Sequence, residues 1–323
     1  MRMPRITIVT PSYNQAAFLE ATIRSVIGQG YPNLEYIIMD GGSTDGSVEI
    51  IRRYERHLYH WVSRKDNGQA DAISQGFIRS TGDVLGWLNS DDMLMPGALL
   101  RVGREFAVEV PPIGLSGACV YVDEKGSPFM VHRPISRSLT GMLLLGHGCA
   151  QMSTFWLKRA YDKVGGLDVT MHYSFDYELF VRLRAIGSIR RIPDYLSLFR
   201  LHEGSKTRRL YSTCVMEDLA ILNRHGMKWV RGLAFLSPYL RRLNPGGRLC
   251  NRIAWLCDRR KVTATYAQWL ETVLCRDPSQ RPGSFHRMAA HESDIGRESR
   301  VVEPATLSGQ SFEPCKAADR GHT

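Results

Sequence analysis

Two adjacent carboxylates, Asp91 and Asp92, close the run Val84-Leu85-Gly86-Trp87-Leu88-Asn89-Ser90, which begins after the turn dipeptide Gly82-Asp83. The apolar part, Val84 to Leu88, is long enough for one buried strand. Carboxylates at the carboxyl end of such a strand are where an open α/β sheet builds a ligand site. Side by side they repel, and a hard cation with oxygen ligands relieves the repulsion. Mg2+ or Mn2+ bridging to a diphosphate suits the pair, because such ions take few protein carboxylates and fill their shell with phosphate oxygens. The same four residues, Asn89 to Asp92, also make good turn and helix-cap chemistry. The rest of the chain has to decide between the two.

The elements that would position the pair follow a regular order. Arg5 to Thr10 reads as a buried strand rich in β-branched residues, stopped by Pro11-Ser12-Tyr13-Asn14. Helical spacing over Ala16 to Gln29 puts Phe18, Leu19, Ile23, Val26 and Ile27 on one face. Leu34 to Met39 is a second strand, closed by Asp40-Gly41-Gly42-Ser43-Thr44-Asp45-Gly46, and a helix starts at Ser47. Trp61 to Ser63 is a short third strand; the loop Asp66-Asn67-Gly68 leads into a helix from Gln69 to Arg79. Strands alternating with helices at this spacing predict a parallel sheet with right-handed crossovers.

Beyond Asp92 the spacing predicts a helix opening at Met93 with Pro96 near its first turn. A strand over Leu115 to Val122 and a hairpin turn at Glu124 to Ser127 follow, then helices over Lys158 to Val164 and Tyr177 to Ala185, and a last strand at Leu198 to His202. Residues 1–211 read as one catalytic domain, 212–275 as a helical extension with many arginines, and 276–323 as a disordered tail without apolar periodicity.

The chain has 323 residues, a net charge of +10 and 43% hydrophobic residues, enough for a substantial core with a preference for anionic partners. The longest apolar runs fall short of a membrane span. The seven scattered cysteines lack a C-x-x-C pair, which fits reduced thiols in a cytoplasm and argues against a zinc site. The expected location is therefore cytoplasmic, with peripheral contact to the inner membrane face as an option.

Five motifs in this order, Thr10-Pro11-Ser12-Tyr13-Asn14, Asp40 to Ser47, Asp66-Asn67-Gly68-Gln69-Ala70-Asp71-Ala72, Trp87 to Asp92 and Phe175-Asp176-Tyr177-Glu178-Leu179, resemble the family 2 glycosyltransferases. The likeness covers roughly residues 4–207 and is greatest to the bacterial branch that builds surface polysaccharides. It implies an α/β GT-A fold: a Rossmann-like, mixed but mostly parallel sheet flanked by helices, here with a C-terminal helical extension. It implies an inverting, metal-dependent hexosyltransferase that moves a sugar from a nucleotide-sugar donor, a UDP-sugar first, to an acceptor hydroxyl. The acceptor would be a saccharide, free or lipid-linked.

Carried over residue by residue, the resemblance gives Pro11 and Tyr13 to base and ribose, Asp40 to a base N–H, and Asp66 and Gly68 to the donor. Asp92 becomes the first metal ligand, for Mg2+ or Mn2+, and Asp91 its partner toward sugar or ribose. Asp176 becomes the general base, His202 a second metal or diphosphate contact, and Lys206 a phosphate contact. Gln151, Ser153 and Trp156 are expected on the acceptor side. Two positions depart from the pattern. Gly41 stands where the family has an acid, and Phe175 where it has Glu, which raises the question of whether Glu178 shares the base's work. Asp45 and Asp176 also have a plain alternative as helix caps. A basic helix around Arg241, Arg242, Arg248 and Arg252, beside Tyr239, Leu240 and Trp255, would suit an anionic bilayer or simply cover the catalytic domain.

Other classes fit less well. A nucleotidyltransferase, or another nucleotide-binding α/β enzyme, usually carries a Gly-rich basic loop after its first strand, and Pro11 to Gln15 is not one. A degenerate, purely binding relative would not need both Asp92 and Asp176. Nucleic-acid binding finds no recognisable reading motif.

Overall fold

β-Branched residues on both faces of the first strands demand cover on both sides, and the sheet obtains it from the helices that alternate with them. The computed structural model describes residues 2–146, 148–206 and 211–225, and further on 251, 255, 256, 258 and 262. The first half runs β1 (Ile6–Ser12), α1 (Ala16–Ile27), β2 (Leu34–Asp40), α2 (Ser47–Arg53), β3 (His60–Ser63), α3 (Gln69–Arg79) and β4 (Val84–Trp87). The second half runs β5 (Met93–Leu94), α4 (Ala98–Phe106), β6 (Gly114–Val122), β7 (Pro128–His132), α5 (Leu139–Leu145), β8 (Thr154–Leu157), α6 (Lys158–Lys163), α7 (Phe175–Ile186), β9 (Ile189–Arg200) and α8 (Tyr211–Arg224). Together the strands form a single nine-stranded sheet in the order β3-β2-β1-β4-β8-β6-β9-β5, with β7 beside β6.

The expected parallel unit is present: β3, β2, β1 and β4 are all parallel, with Ser12 level with Asp40 and Val9 with Trp87. Their carboxyl ends therefore open on one edge. The antiparallel content lies on the other side, where β8 pairs with both β4 and β6. The hairpin expected at Glu124 to Ser127 joins β6 to β7. The α/β, mixed and mostly parallel architecture thus follows the sequence.

Three boundaries differ. Met93 and Leu94 do not open a helix; they form β5 and pair with Leu198 and Ser197 of β9. The helix starts only at Ala98, after Gly97 at φ 72°. Burial explains the change, since Met93, Leu94 and Met95 are almost fully enclosed and apolar, and an edge of β9 was open to them. β9 begins at Ile189, nine residues before the expected start, because alternation there is blurred by Arg190, Arg191 and Asp194. α7 takes in Asp176 rather than following it.

The described residues belong to one unit, Met1–Pro282. From residue 211 on, α8 is a helix, Val262 joins the apolar cluster of Met93, Val120 and Leu198, and Asp258 pairs with Arg133 and accepts from Tyr195 Oη at 2.7 Å. Arg241, Arg242, Arg248, Arg252, Tyr239 and Leu240, and the tail 276–323, lie outside the described residues. Among the described residues, no helix is long and apolar enough to cross a membrane.

The entry to β4 is tight. A Cβ on Gly82 would lie 2.2 Å from Thr7 Oγ1 and 2.9 Å from the Thr7 backbone nitrogen. Gly82→Ala is expected to destabilise the domain by about 1–3 kcal/mol through overpacking. Urea denaturation reads this directly, and an unchanged midpoint would show that the turn relaxes at no cost.

Candidate active site

A cleft of about 920 Å³ opens at the carboxyl ends of β1 and β4, and Tyr13, Asp66, Asp91, Gln151, Asp176 and Lys206 are on its wall. Open α/β sheets take ligands at this edge.

On the β1 side, two sequence motifs are laced together. The amide of Asn14 donates to Ser43 Oγ at 2.8 Å, Thr44 N–H to Asn14 Oδ1 at 3.0 Å, and Ala16 N–H to Asp45 Oδ2 at 2.8 Å. Asp45 is thus a structural cap for α1; burial pushes its carboxyl up, but the Ser47 hydroxyl and the Ala16 and Ser47 amides outweigh it and hold it below the usual value. Tyr13 is left 64% exposed over the cleft. Gly41 forms the floor. A Cβ there would stand 2.9 Å from Asp66 Oδ2 and 3.3 Å from the Tyr13 ring, so the bare glycine is what lets Asp66 and Tyr13 approach each other. Asp66 Oδ1 accepts the Gly68 amide at 2.8 Å. Burial raises the Asp66 carboxyl, and the charges of Asp71 and Asp40 add to the rise.

On the β4 side, the Asp91-Asp92 turn is stapled by the end of β9. Arg200 N–H donates to Asp92 Oδ1 at 3.1 Å, and its Nε to the Asp91 carbonyl at 3.2 Å. Two residues on, His202 places Nε2 3.1 Å from Asp91 Oδ2, with its ring against Phe18. Asp91 is on the cleft wall, and His202, expected as a second metal contact, is buried off that wall and touches the site through Asp91.

The third wall comes from α7 and the strap after β9. Lys206 Nζ donates to Gln69 Oε1 at 2.9 Å and lies over the Phe175 ring. Gln69 Nε2 in turn donates to Asn89 Oδ1 at 2.7 Å. Burial pulls the Lys206 ammonium down, and Asp176 and Glu217 hold it up. Asp176 has its carboxyl raised to about 6, chiefly by burial; the Tyr177 amide and Lys206 pull it back, and Glu217 pushes it further up. A carboxyl poised there can exchange a proton near neutral pH.

Comparison with known proteins matches this frame. Residues 7–164 fit the model of glycosyl transferase family 2. That stretch is a family 2 glycosyltransferase domain. An uncharacterized glycosyltransferase of Mycobacterium tuberculosis is 29% identical over 181 residues, which is 55% of this chain and 68% of that one. The chondroitin synthase of Escherichia coli is 27% identical over 202 residues, 59% of this chain but only 28% of the synthase. Among solved structures, the mannosyltransferase PcManGT of Pyrobaculum calidifontis, in complex with GDP-Man and Mn2+, superposes with a TM-score of 0.55 at 16% identity. It covers 92% of this chain and 82% of its own, and at that identity it shows the shared GT-A fold.

Within the family 2 domain and the strands that complete its sheet, several expected site residues lie elsewhere. Asp92, expected as the leading metal ligand, is fully buried behind Asp91 and off the cleft wall. Its oxygens are engaged by Arg200 N–H and by Asn89 Nδ2 at 3.2 Å. Burial, with Asp91 beside it, pushes its carboxyl well above the usual range. Of the pair, Asp91 is the one on the cleft wall. Asp40 is also turned inward. Its carboxylate accepts from the amides of Gly42 and Ser43 and from the hydroxyls of Ser43 and Ser63, and it organises its own loop. Trp156 is wholly buried among Phe77, Trp87 and Tyr161, and Ser153 bonds Ala118 O and Ser197 Oγ, so neither reaches an acceptor. Glu178 pairs with Arg182 and has no share in the cleft.

Pro11, Tyr13, Asp66, Gly68, Asp91, Asp176, Lys206 and Gln151 do line it. Sequence reading assigned no site role to Asn89 or Glu217. Asn89 was visible in its motif but carried no charge to draw attention. Glu217 makes its bonds to residues more than forty positions away, which no local pattern announces.

Proposed function

We propose that the chain transfers a hexose from a nucleoside-diphosphate sugar, a UDP-sugar first, to a saccharide hydroxyl with inversion at the anomeric carbon. The product would be a cell-envelope polysaccharide. One observation carries the reading: a carboxyl poised near 6, a half-buried lysine and Asp91, backed by His202, meet at one cleft at the open end of the sheet.

The base of the donor would enter between Tyr13 and the Gly41 floor. There Asp66 keeps one oxygen, Oδ2, toward the slot to accept a base N–H. Asp40 would support that wall through its loop.

Among the described residues, no group of three or more His, Cys, Asp or Glu side chains is gathered for a metal. Asp91, backed by His202, nevertheless fits a Mg2+ or Mn2+ whose remaining ligands come from the diphosphate, because such ions bind through one or two protein groups plus phosphate. When bound, the ion would stabilise negative charge on the departing diphosphate. Lys206 adds a fixed positive charge on the same side, oriented by Gln69. Asp176 would take the proton of the acceptor hydroxyl as that oxygen attacks.

The test is a panel of UDP-glucose, UDP-galactose, UDP-GlcNAc and GDP-mannose, read by melting temperature and nucleotide release with and without Mn2+. Mn2+-dependent stabilisation by the uridine donors is the expected result. A protein indifferent to all four in the presence of Mn2+ would end this reading.

A further inference from the structure

The helix that carries the acid base begins without a local cap. Ser174, at the N-cap of α7, makes no side-chain hydrogen bond to the amides of the first turn. A carboxylate from another helix does related work one step earlier. Glu217 of α8 accepts three consecutive amides: His172 N–H at 2.6 Å on Oε1, Tyr173 N–H at 2.9 Å and Ser174 N–H at 2.7 Å on Oε2. Asp176 follows two residues later. A second tie, Arg224 to Asp168, anchors the far end of α8 to the loop that leads into the same segment.

We propose that Glu217 is a positioning residue for Asp176, its carboxylate clamping the three amides that deliver the base to the cleft. The proposal deepens the reading of Asp176 as base and rests on it. The strap bearing His202 and Lys206 runs into α8, so one stretch of chain sets both the cation side of the cleft and the loop of the base. Three charge-assisted bonds from one side chain fix the loop more firmly than a neutral cap does. A base displaced by about 1 Å loses up to roughly a hundredfold in rate.

The charge of Glu217 has a second effect, because it opposes ionisation of Asp176. The other charged or titratable groups about Asp176 are Lys206 on the strap, Tyr173 on its own loop, and Asp91, Asp66 and Lys65 across the cleft. Glu178 on its own helix is paired with Arg182. Of these, Lys206 works in the opposite direction.

The experiment compares the full chain with Glu217→Gln, Glu217→Ala and Asp176→Asn. Two readouts are needed: UDP release from a pool of UDP-glucose, UDP-galactose and UDP-GlcNAc with Mn2+, and the carboxyl 13C titration of Asp176, assigned by its loss in Asp176→Asn. Glu217→Ala is expected to lower kcat by tenfold or more, on the scale of a misplaced base, with apparent KM within about threefold. Glu217→Gln, which keeps the shape and one of the two acceptor oxygens but removes the charge, should move the Asp176 midpoint to lower pH. An unmoved midpoint in Glu217→Gln, or wild-type kcat in both Glu217 variants beside an inactive Asp176→Asn, overturns the proposal. An active Asp176→Asn would instead overturn the reading of Asp176 as base, and the two failures are thereby told apart.

Discussion

Asp91→Asn is expected to abolish Mn2+-dependent binding of UDP and to lower transfer by roughly a thousandfold, whereas Asp92→Asn keeps both within a few-fold. The first figure follows from losing the several kcal/mol by which a bound cation stabilises leaving-group charge. The contrast follows from position. Asp91 sits on the cleft wall with His202 3.1 Å away, while Asp92 is enclosed behind it with Arg200 N–H on one oxygen and Asn89 on the other. An asparagine at 92 still offers an acceptor to Arg200. Alanine at 92 does not, and should cost about 1–3 kcal/mol of folding stability by stranding that amide. Calorimetric titration of UDP with and without Mn2+ decides the matter. Intact metal-dependent binding in Asp91→Asn, with loss in Asp92→Asn, would restore the order first expected from sequence.

The second large effect concerns Asp176. Asp176→Asn should lose transfer by about a hundredfold to ten-thousandfold, the usual worth of a positioned base, while UDP binding is retained. In the unaltered protein, kcat should rise with pH up to about 6 and then level off, since only the ionised carboxylate accepts a proton. Stability runs the other way. The folded carboxyl titrates at about 6 against an ordinary value of 3.8. The folded state therefore holds the proton more tightly between those pH values, and stability falls as pH rises through that window. Above it the buried charge costs on the order of 2–3 kcal/mol. Removing that charge gives a further expected outcome: Asp176→Asn should melt higher than the parent at pH 7 while being inactive. A variant that melts lower and turns over normally would remove Asp176 from the site.

Much of the frame was legible because it depends on local pattern. The strand-helix alternation through Arg79, the strand ending at Trp87 and the hairpin at Gly126 all carry their signals within a few residues. The wall residues Tyr13, Asp66, Asp91, Asp176 and Lys206 could be read because a carboxylate or aromatic at a strand end or helix start is conspicuous. What could not be read was direction. Asp91 and Asp92 are neighbours of identical chemistry, and only the Arg200 staple from β9 decides which one turns inward. Asp40 and Asp66 pose the same question, answered by Ser63 and by the missing side chain at Gly41. The strand at Met93 was hidden because two apolar residues carry no period, and its partner lies about a hundred positions away.

β5 and β9 together act as a ruler. Met93, two residues beyond Asp91, is in register with Leu198, four residues before His202. Each residue of strand advances about 3.3 Å, so adding or removing even one between 198 and 202 would carry the imidazole out of reach of Asp91 and turn the chain to its opposite face. The turn at Asp123 to Ser127, out on the β6–β7 hairpin, bears no such constraint on this spacing. Changes in chain length should therefore be accommodated at that turn and refused at the end of β9, which gives a design rule for grafting new loops onto this scaffold without disturbing its chemistry.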